Sequence, residues 1–244
     1  MRIVFFFLSL FSFYTNSFAE KITIVTAESH PYVYKENGEI KGISTEVVKE
    51  IMKSVDVTYK VQIFPWARSF SLAKKKSHVL IYPLERTPER ESDFHWVGTI
   101  TPFQSVVYKL KKRNDVKITA VRDLLSYKVG VRRQGAGHDF LEMMKHKKLQ
   151  PVKDLSFNIK KLVRDRIDLI LTTEAEFKNY LLTHKQDKSL FEKVFEVDEL
   201  SNDGYLAVSK QTPKKLVLQL RVALVRLKSS TKYSEIMKAY GLEN

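Results

Sequence analysis

Hydrophobic positions along this chain follow two alternating periods. Residues 21–26 alternate apolar and polar side chains, which predicts a strand, and Glu36-Asn37-Gly38-Glu39 reads as a turn. Ser44 is then expected to cap a helix whose apolar stripe is Val47, Val48, Ile51, Met52 and Val55. Val57, Tyr59, Val61 and Ile63 alternate with Thr58, Lys60 and Gln62 as in a half-buried strand. A helix after Trp66 and a buried strand at 79–82 follow. A second run repeats the scheme, with strands at 104–110, 127–131 and 168–172 and helices from Gly137, around 158–164 and at 174–182. A strand at 205–209 leads to a helix opened by Pro213, with Leu216, Leu220, Ala223, Leu224 and Leu227 on one stripe. A last helix at 233–240 ends at Gly241. Strand and helix in alternation predict an α/β protein with largely parallel sheets and crossover helices.

The first 19 residues are set apart from this scheme. Arg2 supplies a positive start, the run 3–13 is apolar except for Ser9 and Ser12, and Ser17-Phe18-Ala19 is a small-x-small cleavage site. This predicts a cleaved secretory leader of the Gram-negative type, too short to span a membrane, and a periplasmic destination. The chain has no cysteine, so the exported fold rests on core burial without disulfides or thiolate chemistry.

A formal net charge of +14 raises the question of nucleic acid. The cations are dispersed, however: Lys74-Lys75-Lys76, Lys111-Lys112-Arg113 and Lys145-His146-Lys147-Lys148 each fall where a helix or strand is expected to end. No nucleic-acid partner is expected. The Cys and motif inventory offers no nucleophile elbow, no His-Glu-x-x-His and no phosphate loop, and the six histidines are scattered. No catalytic residue, metal or cofactor is expected.

The chemistry concentrates between Phe64 and Gly98. Phe64-Pro65-Trp66-Ala67-Arg68 opens the second helix, and a turn around Thr87-Pro88 carries Arg86 and Arg90 directly beyond a buried strand. A guanidinium held beside a turn and facing an aromatic wall can receive a small carboxylate through two charge-assisted hydrogen bonds. A surface ion pair with Glu89 or Asp93 is the plain alternative. Gln134-Gly135-Ala136-Gly137 follows a strand and opens a helix, where backbone N–H groups can meet an anion.

The order Pro-Trp-Ala-Arg, Arg-Thr-Pro-Glu-Arg and Phe-His-Trp-Val-Gly resembles the polar-amino-acid type of periplasmic solute-binding protein, bacterial extracellular solute-binding family 3, over nearly the whole chain beyond the leader. The resemblance implies a type II fold of two lobes joined by two crossover strands, with lobe one at 20–107 and 209–244 and lobe two at 108–208. It implies a monomer that traps a small carboxylate-bearing solute, an amino acid or derivative, for an ABC permease or a membrane sensor. Arg90 would grip the carboxylate and Trp66 would cover the apolar part. Arg68, Glu85 and Glu28 would reach the cleft, and Gly135 and Ala136 would complete the anion site. Tyr32 would pack against its lobe, Arg86 would brace the turn, and Trp96 would be core.

Three positions depart from the family pattern: Glu85 replaces a small residue, Ser29 an aromatic lid, and Thr173 the Asp that pairs with the α-ammonium. The loop at 134–137 also reads as one residue longer than its family counterpart. An alternative on the same scaffold is a periplasmic lyase or dehydratase, with Glu28, Glu85 or Glu174 paired to His138 as acid and base.

Overall fold

The computed structural model describes residues 21–200 and 203–242; the expected leader lies outside them. Strand β1 (Lys21–Thr26) leads through a hairpin, β2 (Tyr34–Glu36) and β3 (Glu39–Lys41), into helix α1 (Ile43–Lys53). Then come β4 (Thr58–Ile63), α2 (Trp66–Lys75), β5 (Val79–Glu85) and β6 (Phe94–Pro102). The chain next runs through β7 (Ser105–Leu110), β8 (Val129–Arg132), α3 (Ala136–Met143), β9 (Leu149–Val152), α4 (Leu155–Val163) and β10 (Leu169–Thr173). Helix α5 (Glu174–Thr183), β11 (Phe191–Glu196), β12 (Asp203–Ser209), α6 (Lys214–Lys228) and α7 (Thr231–Ala239) complete it.

Two five-stranded sheets result, ordered β4-β1-β5-β12-β6 and β11-β7-β10-β8-β9. In the first, β1 runs parallel to β4 and β5, while β12 is antiparallel to both β5 and β6. In the second, β8 is parallel to β9 and β10, while β7 is antiparallel to β10 and β11. The sheets are therefore mixed: the chain enters each from the other lobe along an antiparallel strand. β7 pairs entirely within the second sheet from Ser105, and β12 entirely within the first from Asp203. Sheet membership therefore switches between Pro102 and Ser105 and between Glu196 and Asp203, which sets the sheet boundaries apart from the 107/108 and 208/209 divisions expected from sequence.

Each sheet buries apolar side chains on both faces. The predicted α1 stripe, Val47, Val48, Ile51, Met52 and Val55, joins Leu216, Leu220, Ala223, Leu224 and Leu227 of α6 in one core, and Trp96 is buried on the opposite face. Ser44 is not a helix cap. Gly42 starts α1 at φ +117°, where a Cβ would lie 2.4 Å from the Tyr32 carbonyl. Ser44 is buried and its hydroxyl bonds Thr101 Oγ1 at 3.0 Å. Thr26 Oγ1 donates to the Tyr82 carbonyl at 2.6 Å, and Ser69 Oγ donates to the Thr26 carbonyl at 2.7 Å. These bonds fix the C-terminal ends of β1 and β5, the edge where open α/β sheets present ligand sites. Among the described residues, no helix is long and apolar enough to cross a membrane.

Candidate functional site: a latched interlobe cleft

The C-terminal ends of β1, β5, β8 and β10 converge on a small cavity of about 80 Å³. Trp66 and Glu85 line it from the first lobe; Arg132, Gly135, Ala136, Thr173 and Glu176 line it from the second. The segment from Arg132 to Asp139 positions the second-lobe side. Gln134 adopts φ +56°, which turns the chain out of β8 into α3. Gly135 then stands as an extended residue before the helix. At Gly137 a Cβ would come within 2.8 Å of Leu171, so glycine lets α3 approach β10 closely.

Three first-lobe side chains reach this segment. Trp66 Nε1 donates to the Gln134 carbonyl at 2.7 Å. Arg90 NH2 donates to the same carbonyl at 3.0 Å, and Arg90 Nε and NH2 donate to Asp139 Oδ2 at 3.1 and 2.8 Å. Glu85 faces the same segment across the cavity, beside Gly135 and Ala136. The cleft is closed by the protein's own groups.

Arg90, the residue expected to grip a solute carboxylate, is held between the lobes. It is 1% exposed, also donates through NH1 to the Glu85 carbonyl at 3.2 Å, and lies 4.9 Å from the centre of the Phe70 ring. Its carboxylate partner is Asp139, not Glu89, and Asp93 pairs instead with Lys74 at 2.7 Å. Burial opposes ionisation of Asp139, yet His138 and the Arg90 guanidinium hold its carboxyl below the ordinary range.

Glu85 shows the opposite behaviour. Burial pushes its carboxyl above the ordinary value of 4.5, and the opposing pull of Arg90, Arg132 and the Ala136 N–H does not restore it. The folded state then holds a proton that the unfolded chain would release, so stability falls as pH rises through the window above 4.5. Glu85→Gln, neutral at every pH, should flatten that fall. Denaturant midpoints measured between about pH 4.5 and 8 test this. Identical pH profiles for the two proteins would refute the assignment.

Other expected residues lie elsewhere. Glu28 is exposed and does not line the cavity; Arg68 is exposed and stacks over Phe64 at 4.2 Å. Arg86 braces the turn through two bonds to Glu91, at 2.7 and 2.5 Å. Ser29 does line the cavity. Glu174 is bound by Lys178 at 2.6 Å and Lys193 at 3.4 Å. His138 lines a second, more open cavity with Arg133, Asp139 and Glu142, which Glu85 does not reach. Among the described residues, His138, Asp139 and Glu142 are the group with ligand atoms near enough for one metal ion, all within 4.8 Å. Asp139 Oδ2 is already committed to Arg90.

The family model for bacterial extracellular solute-binding proteins, family 3, matches residues 22–243. The chain belongs to this family. It is 22% identical over 216 residues to a probable histidine-binding protein of Campylobacter jejuni, covering 87% of this chain and 81% of that one. Among solved structures, the fold is similar to a histidine kinase sensor domain with similarity to periplasmic binding proteins (TM-score 0.81, 17% identity, 93% and 99% of the two chains). It is similar also to a Streptococcus pneumoniae ABC uptake transporter substrate-binding protein with bound histidine (0.78, 18%, 91% and 93%). A third similar structure is the arginine-, lysine-, histidine-binding protein ArtJ of Geobacillus stearothermophilus (0.75, 17%, 91% and 95%).

Within this family 3 chain, the groups that sequence reasoning missed are Gln134 as a shared acceptor, Asp139, and the close Arg132–Glu176 ion pair at the cavity wall. Arg132 at the end of a strand and Glu176 in the first turn of α5 each look like ordinary surface charges. Only the parallel pairing of β8 with β10 brings them together. In the loop at 134–137, Gln134 takes the left-handed conformation that glycine more commonly supplies.

Proposed function

We propose that this chain is a periplasmic solute-binding protein that captures a small amino acid or amino-acid derivative between its lobes. It would act as a monomer and present the solute to an ABC permease. The observation that carries this reading is the convergence of Trp66 and Glu85 from one lobe with Gly135, Ala136 and Glu176 from the other on one small cavity. An aromatic wall with a few aimed polar groups is the usual make-up of a small-molecule site. The secretory leader read from residues 1–19 supports the location, and family membership supports the role.

A lyase on this scaffold would need an acid and a base facing one substrate. Glu85 and His138 line different cavities, and Glu28 is exposed, so no observation favours that reading.

The test is a thermal-shift screen of protein unfolded and refolded to strip carried-over ligand. Amino acids, their decarboxylated and deaminated analogues and small dicarboxylates form the panel. A true ligand at one hundred times its Kd should add about 2.7 kcal/mol of stability and raise Tm clearly. Silence across the panel would remove amino-acid-like solutes from the reading.

A further inference from the structure

Arg90 is a buried guanidinium beside the cleft, and four of its five N–H groups are already engaged. All three of its nitrogens donate: Nε and NH2 to Asp139, NH2 also to the Gln134 carbonyl, and NH1 to the Glu85 carbonyl. Asp139 comes from the opposite lobe, so its carboxylate bridges the lobes at the point where a solute carboxylate on Arg90 would have to sit. An attached carboxylate acts at an effective concentration of millimolar or higher. A dissolved carboxylate must evict it from a buried guanidinium before gaining anything.

The cavity itself offers acceptors. Glu85 and Glu176 face it from opposite lobes, and the 2%-exposed Asn158 contributes an Oδ1 that has no hydrogen-bond partner. Its one cation, Arg132, is matched by Glu176. The charged side chains that line it are therefore two carboxylic groups against one guanidinium.

We infer that Asp139 is a specificity-determining residue of this cleft: it fills the anion site of Arg90, so solutes are selected by amine or guanidinium groups and gain nothing from an α-carboxylate. This inference rests on the solute-binding reading above, and deepens it to a ligand class. A cation entering the cavity would favour the ionised form of the buried Glu85 carboxyl and donate to it, and would share Glu176 with Arg132, with Asn158 Oδ1 accepting a further N–H. Removing the Asp139 carboxylate would leave Arg90 buried without a counter-ion, and an incoming carboxylate would supply one.

The experiment pairs each probe with its decarboxylated form: arginine with agmatine, and histidine with histamine. Affinities are measured by calorimetry on the wild-type protein and on Asp139→Ala, with Asp139→Asn as the second variant should the first fail to fold. Wild type should bind the amine at least as tightly as the amino acid. The variant should shift the ratio toward the amino acid by about ten-fold or more. A wild-type protein that prefers the amino acid ten-fold, or a ratio unchanged by the substitution, would overturn the inference. Small-angle scattering on the same ligand-free proteins separates the two layers. If no probe binds either protein but the variant is more extended, Asp139 is the occupant of Arg90 and the solute-binding reading is what fails. If no probe binds and the two proteins have the same dimensions, the inference fails as well.

Discussion

Arg90→Ala is expected to lower the unfolding free energy by about 3 kcal/mol, near the lower end of the cost of breaking a buried ion pair from one side. A surface arginine waiting for a solute would leave the fold intact on truncation. This arginine is 1% exposed, and its removal strands the Asp139 carboxylate in a half-buried position without its cation. The Gln134 and Glu85 carbonyls each lose a donor, and Phe70 loses the guanidinium beside its ring. Arg86→Ala is the matched control, since its bonds to Glu91 are exposed and such pairs contribute about 0.2–1 kcal/mol. Urea titrations of both variants decide the point. A loss at Arg90 no larger than that at Arg86 would mean that the interlobe pair does not form in solution.

Trp66→Ala should cost about 3–5 kcal/mol, because truncating a buried aromatic removes transfer energy and leaves a cavity. Trp66 is 6% exposed and packs in the same core as Val25, Ile81 and Phe94, with its ring 6.3 Å from that of Phe70. Trp66→Phe separates packing from polarity. It keeps most of the apolar contact, loses part of the ring volume and deletes the Nε1 bond to the Gln134 carbonyl, for a loss of about 1–2 kcal/mol, well below that of the alanine variant. Finding the two variants equally destabilised would show that the hydrogen bond, not the packing, dominates at this position. The contrast matters for function, since only the hydrogen bond crosses between lobes.

The residues that made the fold legible are those with strong periodicity. The α1 and α6 stripes identified two helices that meet in one core, and β1, β4 and β5 read as strands because branched and aromatic residues alternate or run together. The strands that escaped are the short hairpin pair β2 and β3 and, in the two large sheets, β6, β9 and β11, which all lie at sheet edges. There one side of the ladder is open and polar residues, glycine and proline are tolerated, as in Leu149-Gln150-Pro151-Val152. At the site, the Thr87-Pro88-Glu89-Arg90 turn and the Gly135-Ala136 helix start were visible because each has a local signature. Asp139 had none. One acidic residue in the first turn of a helix favours the dipole wherever it occurs, and its service to Arg90, 49 positions away, exists only once the lobes close. The same holds for Gln134, whose contribution is a backbone carbonyl and so is independent of its side chain.

The bond from the Trp66 indole N–H to the Gln134 carbonyl has a consequence for observing this protein in solution. Trp66 is buried in the first lobe, and its indole N–H donates to a carbonyl of the second. Exchange of that single indole proton with solvent deuterium therefore counts separations of the lobes, while amides inside β8 and β10 report unfolding of the second lobe itself. The ratio of the two rates is a built-in gauge of how often the cleft opens without the protein coming apart.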